Sequence, residues 1–257
     1  MPTETHEGNP DFVLSLARGL SVIEAFQDRP EGATVGDLAA RTGLSRAAVR
    51  RLLITLELLG YATHSGPVYR LGSRVLRLGF SFLTSNSLAT LAGPILEEIS
   101  AALHESSSLS TLEGDEIVYL ARAATRRVMS VGLSIGSRLP ACCTSMGRVM
   151  LASLPPKELA AYLKSVELKA LTPKTIVKKA ALAAELDRVR MQGYALVDEE
   201  LEIGLRSMAV PVTARSGKVV AAMNSGVHAA RVQPKEMVAR FLPVLQEGAR
   251  RLGMALV

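Results

Sequence analysis

An α+β fold is predicted, with a smaller helical N-terminal unit followed by a larger unit of short strands mixed with helices. Three observations lead to it. Up to about residue 85 the apolar residues recur mainly at helical spacing, broken by one short hairpin-like stretch. Beyond that point short apolar runs bounded by turn residues alternate with helical patterns. The length of 257 residues fits two domains better than one, at roughly 150 residues per domain. With 48% hydrophobic and 21% charged residues the chain has the composition of a folded globular protein, so global disorder is excluded. No run of 18 apolar residues occurs, and the start, MPTETHEGNPDF, is polar and acidic. Neither a membrane span nor a signal peptide is expected, no membrane partner follows, and the expected compartment is the cytoplasm. The 2 cysteines, Cys142 and Cys143, are adjacent, which provides no disulfide framework and no zinc-ligand set.

Residues 1–11 carry Pro2, Gly8 and Pro10 without apolar periodicity and read as a tail. Leu16, Leu20, Ile23 and Phe26 predict a first helix, ended by Pro30 and Gly32. Thr34 is placed to cap a second helix, because Asp37 stands where a capping-box acid belongs; Gly43 ends it. Ser45 caps a third helix through Leu59, with Val49, Leu52, Leu53 and Leu56 as its buried face. Tyr61–Thr63 and Val68–Leu71 then form a hairpin around Ser65-Gly66-Pro67. Ser73 opens a helix, and another runs from about Ala89 to Glu105 around Pro94. Strands are predicted at Ser108–Leu112, Ile117–Ala123 and Val128–Leu133, then a helix at Thr144–Leu154 and one starting at Pro155-Pro156. Lys178–Gln192 is helical, Tyr194–Val197, Ser207–Thr213 and Val219–Gly226 are strands, and Gln233–Gly253 closes the chain as one amphipathic helix. The predicted division is 1–11 tail, 12–72 first domain, 73–87 helical connection and 88–257 second domain.

Two short helices joined at Thr42-Gly43-Leu44 and followed by a hairpin give the pattern of a winged helix-turn-helix. If Val49, Leu52, Leu53 and Leu56 face inward, Arg46, Ala47, Arg50 and Arg51 face outward near the start of the second helix of the pair. Guanidinium groups bond bidentately to guanine or to phosphate, and a small Ala permits close approach to a thymine methyl. The charge is local: between residues 41 and 80 seven arginines face Glu57 alone, a net +6 equal to that of the whole chain. Residues 1–40 are acidic, and the chain outside 41–80 sums to zero. Candidate contacts to double-stranded DNA are therefore Thr34, Ser45, Arg46, Ala47, Arg50 and Arg51, with His64 and Arg70 on the wing. The alternative is a solvated charged face, and for His64 and Arg70 simple surface positions.

The segments ARGLSVIEAF, TVGDLAARTGLSRAAVRRLLITLELLGY and VYRLGSRVLRLG resemble the N-terminal domain of the IclR family of bacterial transcriptional regulators. The resemblance continues through LPACCTSMGRVMLA and GYALVDEELEIGLRSMAVPV, so it covers about residues 12–254. Within the family, SRAAVRR and DEELEIGLRSMAVPV are most similar to regulators of protocatechuate and p-hydroxybenzoate breakdown. This resemblance implies a winged-helix domain, a helical linker used in dimerisation and a GAF-like effector domain. It also implies operator DNA and a small aromatic or dicarboxylic acid of the protocatechuate, p-hydroxybenzoate or β-ketoadipate class as partners. A homodimer or dimer of dimers is expected on a two-fold operator, with RNA polymerase as a further candidate partner.

In the C-terminal half, Ser137, Ala141, Cys142, Cys143, Thr144, Ser145 and Gly147 concentrate small and hydroxyl residues at a helix start. With Thr144 as cap, the N–H groups of Ser145, Met146 and Gly147 are left to receive a carboxylate. The alternative is an ordinary capped helix whose small residues serve packing. By resemblance this segment and the strands around Leu205, Ser207, Met223 and Ser225 line the effector pocket, with Leu139, Cys142 and Asp198 as further candidates. Regulators of small oxo acids in the family often carry an acid just before the DEE stretch; here Val197 stands there, which points to a larger or more anionic effector than glyoxylate or pyruvate. Glu200 matches the acidic position of the family signature, whereas Thr213 and Ala214 depart from it. Arg138 and Arg206 flank the region as carboxylate partners or as surface ion pairs. The four histidines lack ligand spacing, no base accompanies the cysteine pair, and no GxSxG, P-loop or GxGxxG occurs. No enzymatic activity and no cofactor are expected.

Overall fold

The computed structural model describes residues 9–27, 29–79, 87–125 and 133–256. It divides into two compact units, Met1–Ser85 and Asn86–Val257.

The first unit runs α1 (Leu14–Glu24), β1 (Ala33–Thr34), α2 (Val35–Thr42), α3 (Arg46–Leu58), β2 (Ala62–Ser65) and β3 (Val68–Leu71). Local chemistry sets the helix ends. The Thr34 hydroxyl accepts from the Asp37 N–H at 3.2 Å while the Asp37 carboxylate accepts from the Thr34 N–H at 2.9 Å, a reciprocal capping box. Gly43, at φ 71°, takes the left-handed conformation that closes α2. Ser45 Oγ accepts from the Ala48 N–H at 3.2 Å and starts α3. Val22, Phe26, Leu38, Val49, Leu53 and Leu56 form the core of the unit, with Leu52 only partly buried. The expected hairpin gains a third strand, order β1-β3-β2, because Ala33 and Thr34 pair with Tyr69 and Val68. Arg74 fastens the end of α3: its Nη1 donates to the Leu59 carbonyl at 2.7 Å and the guanidinium lies 5.3 Å from the Tyr61 ring centre.

The helix expected from Ser73 opens as a 3-10 turn at Ser73–Val75 and continues as α-helix through residues 76–79. The rest of the expected connection at 80–86, the strand expected at 128–132 and residues 1–8 of the tail lie outside the described residues.

The second unit opens with α4 (Ser87–Leu103) and a hairpin of β4 (Ser106–Glu113) and β5 (Glu116–Ala123). It continues through β6 (Arg138–Pro140), a 3-10 turn at Ala141–Cys143, α5 (Ser145–Ala152), α6 (Pro156–Ser165), α7 (Lys179–Gln192), β7 (Ala195–Asp198), β8 (Leu205–Thr213) and β9 (Val219–His228). The six strands form one antiparallel sheet in the order β6-β5-β4-β9-β8-β7. Helix α5 packs on one face over Ile117, Tyr119, Ala195, Ala209 and Ala222, backed by Leu182, Leu186 and Val189 of α7. The other face is covered by α4 and the terminal helix α8 (Leu242–Ala255), giving a GAF-like mixed α/β architecture.

The C-terminal helix expected from the sequence is present and helical from Pro234 to Ala255, with a π-helical turn inside it. A short turn at Pro234–Glu236 leads into a π-helical turn at Met237–Phe241, and α8 follows with Pro243 in its first turn. Proline lacks an N–H and crowds the carbonyl four residues back, and the wider turn relieves both. No helix among the described residues is long and apolar enough to cross a membrane.

Candidate functional site

Two sites follow from these elements, one in each unit. On α3, Val49, Leu53 and Leu56 are buried, so the helical period sets Arg46, Ala47, Arg50 and Arg51 on the exposed side. These four line an open surface groove together with Thr34, Gly36 and the wing turn Gly66-Pro67. None of Arg46, Arg50 and Arg51 has an ion-pair or hydrogen-bond partner among the described residues, and their charge is available to an external anion. Ser45 is exposed at the helix start, although its hydroxyl is engaged as a cap. The wing residues His64 and Arg70 are both exposed. His64 is outside that groove, with Nδ1 2.6 Å from Glu57 Oε1 on α3 and its ring tilted against Tyr69. Arg70 is exposed on β3, paired with Thr63, and also stands outside the groove.

In the second unit a cavity lies between the sheet and the start of α5, enclosing about 600 Å³ of non-protein space, its mouth included. Of the residues expected there, Leu139, Thr144, Ser145, Met146, Leu205 and Ser207 line it. Tyr119, Arg122, Cys143, Val197, Asn224 and Gly226 complete the polar and central part of the wall. Five expected residues stand off the lining, each for a stated geometric reason. Met223 and Ser225 alternate with Asn224 and Gly226 on β9 and point to the opposite face; the Ser225 hydroxyl donates to the Ser106 carbonyl at 3.2 Å. Asp198 alternates with Val197 and accepts from Arg206 Nε at 2.8 Å. Cys142 turns away from the cavity beside Cys143, and both thiols are free and buried. Gly147 serves close packing: a Cβ there would come within 2.2 Å of the Ala141 carbonyl oxygen.

The start of α5 is the anion-accepting part of the wall. Thr144 Oγ1 accepts from the Gly147 N–H at 3.2 Å, so that N–H, expected to be free, is used by the cap. The N–H groups of Ser145 and Met146 precede the first intrahelical bonds. The Ser145 hydroxyl is buried and has no hydrogen-bond partner among the described residues. A buried hydroxyl without a partner costs stability unless something else fills it. Burial pushes the Tyr119 hydroxyl up to about 12, with nearby Arg122 pulling the other way, and the phenol stays a neutral donor. Among the described residues no carboxylate belongs to the lining, and Arg122 is its one formal charge.

The sequence reading misses Arg148. It is buried inside α5, donating from Nη2 to Glu200 Oε2 at 2.6 Å and from Nε to the Cys142 carbonyl at 3.0 Å, with Glu185 3.6 Å from Nη1. Glu200 also accepts from the Ile176 N–H at 3.0 Å. The acidic stretch is thereby used to hold α5 rather than to meet a ligand. Arg206 pairs with Asp198 and donates to the carbonyls of Ala229 and Val232, and Arg138 pairs with Glu113 and Glu116. Both are tied within the protein. Cys142 is drawn down to about 7 by the Cys143 thiol and by Arg148, while Cys143 is held above its ordinary value.

A winged helix with an unpaired basic reading face, joined in one chain to an α/β unit with an anion-accepting cavity, defines a small-molecule-responsive DNA-binding transcriptional regulator. Residues 15–66 match the IclR helix-turn-helix domain and residues 80–254 match the bacterial transcriptional regulator IclR C-terminal domain. The chain belongs to the IclR family of bacterial transcriptional regulators. It is 50% identical over 246 residues to the Pca regulon regulatory protein of Pseudomonas putida, covering 95% of this chain and 84% of that one. An IclR transcriptional regulator from Alicyclobacillus acidocaldarius superposes with a TM-score of 0.83 at 25% identity, covering 94% of this chain and 98% of the other. A double mutant of the PobR inducer-binding domain from Acinetobacter, in complex with 3-hydroxybenzoic acid, superposes with a TM-score of 0.62 at 33% identity, covering 65% of this chain and 98% of that domain.

Proposed function

We propose that this regulator senses a small aromatic or dicarboxylic acid in the cavity beneath α5 and controls an aromatic-acid breakdown operon through the α3 face. The observation that carries the reading is the buried Ser145 hydroxyl at the start of α5, unpartnered among the described residues, in a lining whose described residues include no carboxylate. Backbone N–H groups, a hydroxyl and a guanidinium among apolar walls suit a carboxylate on a compact carbon skeleton. The similarity to a Pca regulon regulator and to a domain that binds 3-hydroxybenzoic acid supports the aromatic-acid class. Arg46, Ala47, Arg50 and Arg51 are assigned to the operator, with Ser45 capping the helix that carries them and Thr34, the cap of α2, beside them in the groove. The protein acts as a homodimer or a dimer of dimers, since one winged helix reads a half-site and a two-fold operator needs two. The connection at 73–87 carries the effector signal between the units, and RNA polymerase is engaged at the promoter.

The test is a thermal-shift screen of organic acids followed by a gel shift on the native operator. A binder stabilises the folded protein by RT ln(1 + [L]/Kd), so a true effector raises the melting temperature with its concentration and alters operator affinity or transcription. If no acid in such a screen shifts melting, or if a tight binder changes neither DNA affinity nor transcription, the reading falls.

A further inference from the structure

We infer that Arg122 is the charge anchor and length gauge of the cavity, so that the site favours acids whose second oxygen group lies about one aromatic ring away from the carboxylate. The inference rests on the reading that the cavity binds an organic acid, and it adds which end is held by what.

Arg122 reaches the cavity only because β5 carries a bulge. Ser108 of β4 pairs with Arg122 and Ser110 pairs with Tyr119, so two steps on β4 face three on β5 and Leu120 is the extra residue. Regular alternation would send Tyr119 and Arg122 to opposite faces of the sheet. The bulge brings both onto the α5 face, where both line the cavity.

The guanidinium is also unlike the other sheltered arginines of the unit. Arg148 and Arg206 are each saturated by a carboxylate and backbone carbonyls. Arg122 has one hydrogen bond among the described residues, from Nη1 to the Ser108 hydroxyl at 3.1 Å, and no carboxylate partner. An arginine fork carries five N–H donors, so one hydrogen bond leaves donors over for a carboxylate, and the half-buried side chain stands where the cavity adjoins an outer groove lined by Glu97, Ser100 and His104.

The second anchor is separate. Ser110 Oγ donates to Met146 Sδ at 3.2 Å, which sets the start of α5, with the unpartnered Ser145 hydroxyl, over the Ser110 level of β4. Arg122 sits at the Ser108 level. Two residues along a strand span about 7 Å. A two- or three-carbon oxo acid has its oxygen groups on adjacent carbons and fills one anchor at a time. A hydroxybenzoate or a six-carbon dicarboxylate reaches both, and Val197 in the wall leaves that span uncharged.

The experiment is isothermal titration of the full-length protein with 4-hydroxybenzoate, 3,4-dihydroxybenzoate, adipate, benzoate and pyruvate. Wild type is compared with Arg122→Gln, Arg122→Lys and Ser145→Ala. The expected result is tightest binding of a double-ended acid, at least tenfold loss in Arg122→Gln, partial recovery in Arg122→Lys, and loss of the preference over benzoate in Ser145→Ala. Arg122→Gln binding the best acid within twofold of wild type overturns the inference while leaving the organic-acid reading intact. Pyruvate binding as tightly as the double-ended acids overturns it equally. No binding of any of the five acids to wild type removes both. Should Arg122→Gln melt below wild type, Ser108→Ala, which releases the guanidinium from its one partner among the described residues, is expected to change affinity severalfold in the same series, and an unchanged affinity there counts against the inference.

Discussion

Replacing Glu200 with Gln isolates the charge of the buried pair that fixes α5. Gln retains an oxygen for the Ile176 N–H and nearly the same volume, so what is lost is the negative charge opposite Arg148. Arg148 is 1% exposed and Glu200 8% exposed, so water does not take the place of the missing carboxylate. Breaking a buried pair from one side costs about 3–5 kcal/mol, because the remaining charge stays desolvated. Glu185, 3.6 Å from Arg148 and shared with Arg188, moderates this toward the lower end, about 3 kcal/mol. The unit holding the pair, Asn86–Val257, has 172 residues, and at that size about 3 kcal/mol lowers the melting temperature by roughly 6–12 °C. Urea denaturation followed by far-ultraviolet circular dichroism measures it. Arg148→Met in the Glu200→Gln background should recover part of the loss, since the remaining carboxylate, Glu185, keeps Arg188 at 2.7 Å. A loss below about 1 kcal/mol for Glu200→Gln, or strictly additive losses in the double variant, would refute the account of α5 as held by a desolvated ion pair.

Gly147→Ala places a Cβ within 2.2 Å of the Ala141 carbonyl oxygen, so the second unit should lose about 3 kcal/mol in the same denaturation measurement. Ser145→Ala at the next turn position should leave stability unchanged or improved, because it removes an unsatisfied buried hydroxyl. Arg50→Ala should cost about 1–3 kcal/mol on operator DNA in a gel shift if the guanidinium reads a base, and a uniform loss on all sequences with a shallower salt slope if it meets phosphate. The Asp37 carboxyl is held below its ordinary 3.8 by the Thr34 hydroxyl and N–H. A depressed carboxyl stabilises the cap above the ordinary value, and the contribution disappears as pH falls through the folded one. Protection of the Thr34 and Asp37 amides, taken relative to intrinsic exchange at each pH, should therefore fall below about pH 4, and Asp37→Asn should abolish that acid limb.

The N-terminal unit was the more legible because its signals are local. Thr34 with Asp37, Gly43 and Ser45 act within one turn of chain, and each stands where its chemistry places it. The short β1 has no such signal: its two residues become a strand only through Tyr69 and Val68, more than thirty residues away. In the second unit the elements were again readable, but the side of the sheet was not. Strands β8 and β9 are buried on both faces, so no apolar-polar alternation tells Asn224 from Met223 or Ser225 from Gly226. Arg148 reads as an exposed helix residue until its partners on α7 and in the loop after β7 are brought to it.

The same loop explains why the acidic stretch is close to the site without entering it. Asp198 and Glu200 are bound to Arg206 and Arg148, and the residues on either side of them, Val197 and Leu201, are thereby held in the cavity wall. Arg148 at once fixes the Cys142 carbonyl, one turn before Ser145. The wall from β7 and the wall from α5 therefore share a single guanidinium, and a ligand that draws the start of α5 inward must work against that pair. Effector affinity in this chain thus depends also on residues outside the cavity lining: weakening Glu200 should lower affinity for every acid alike, whereas Ser145→Ala should alter which acid is preferred.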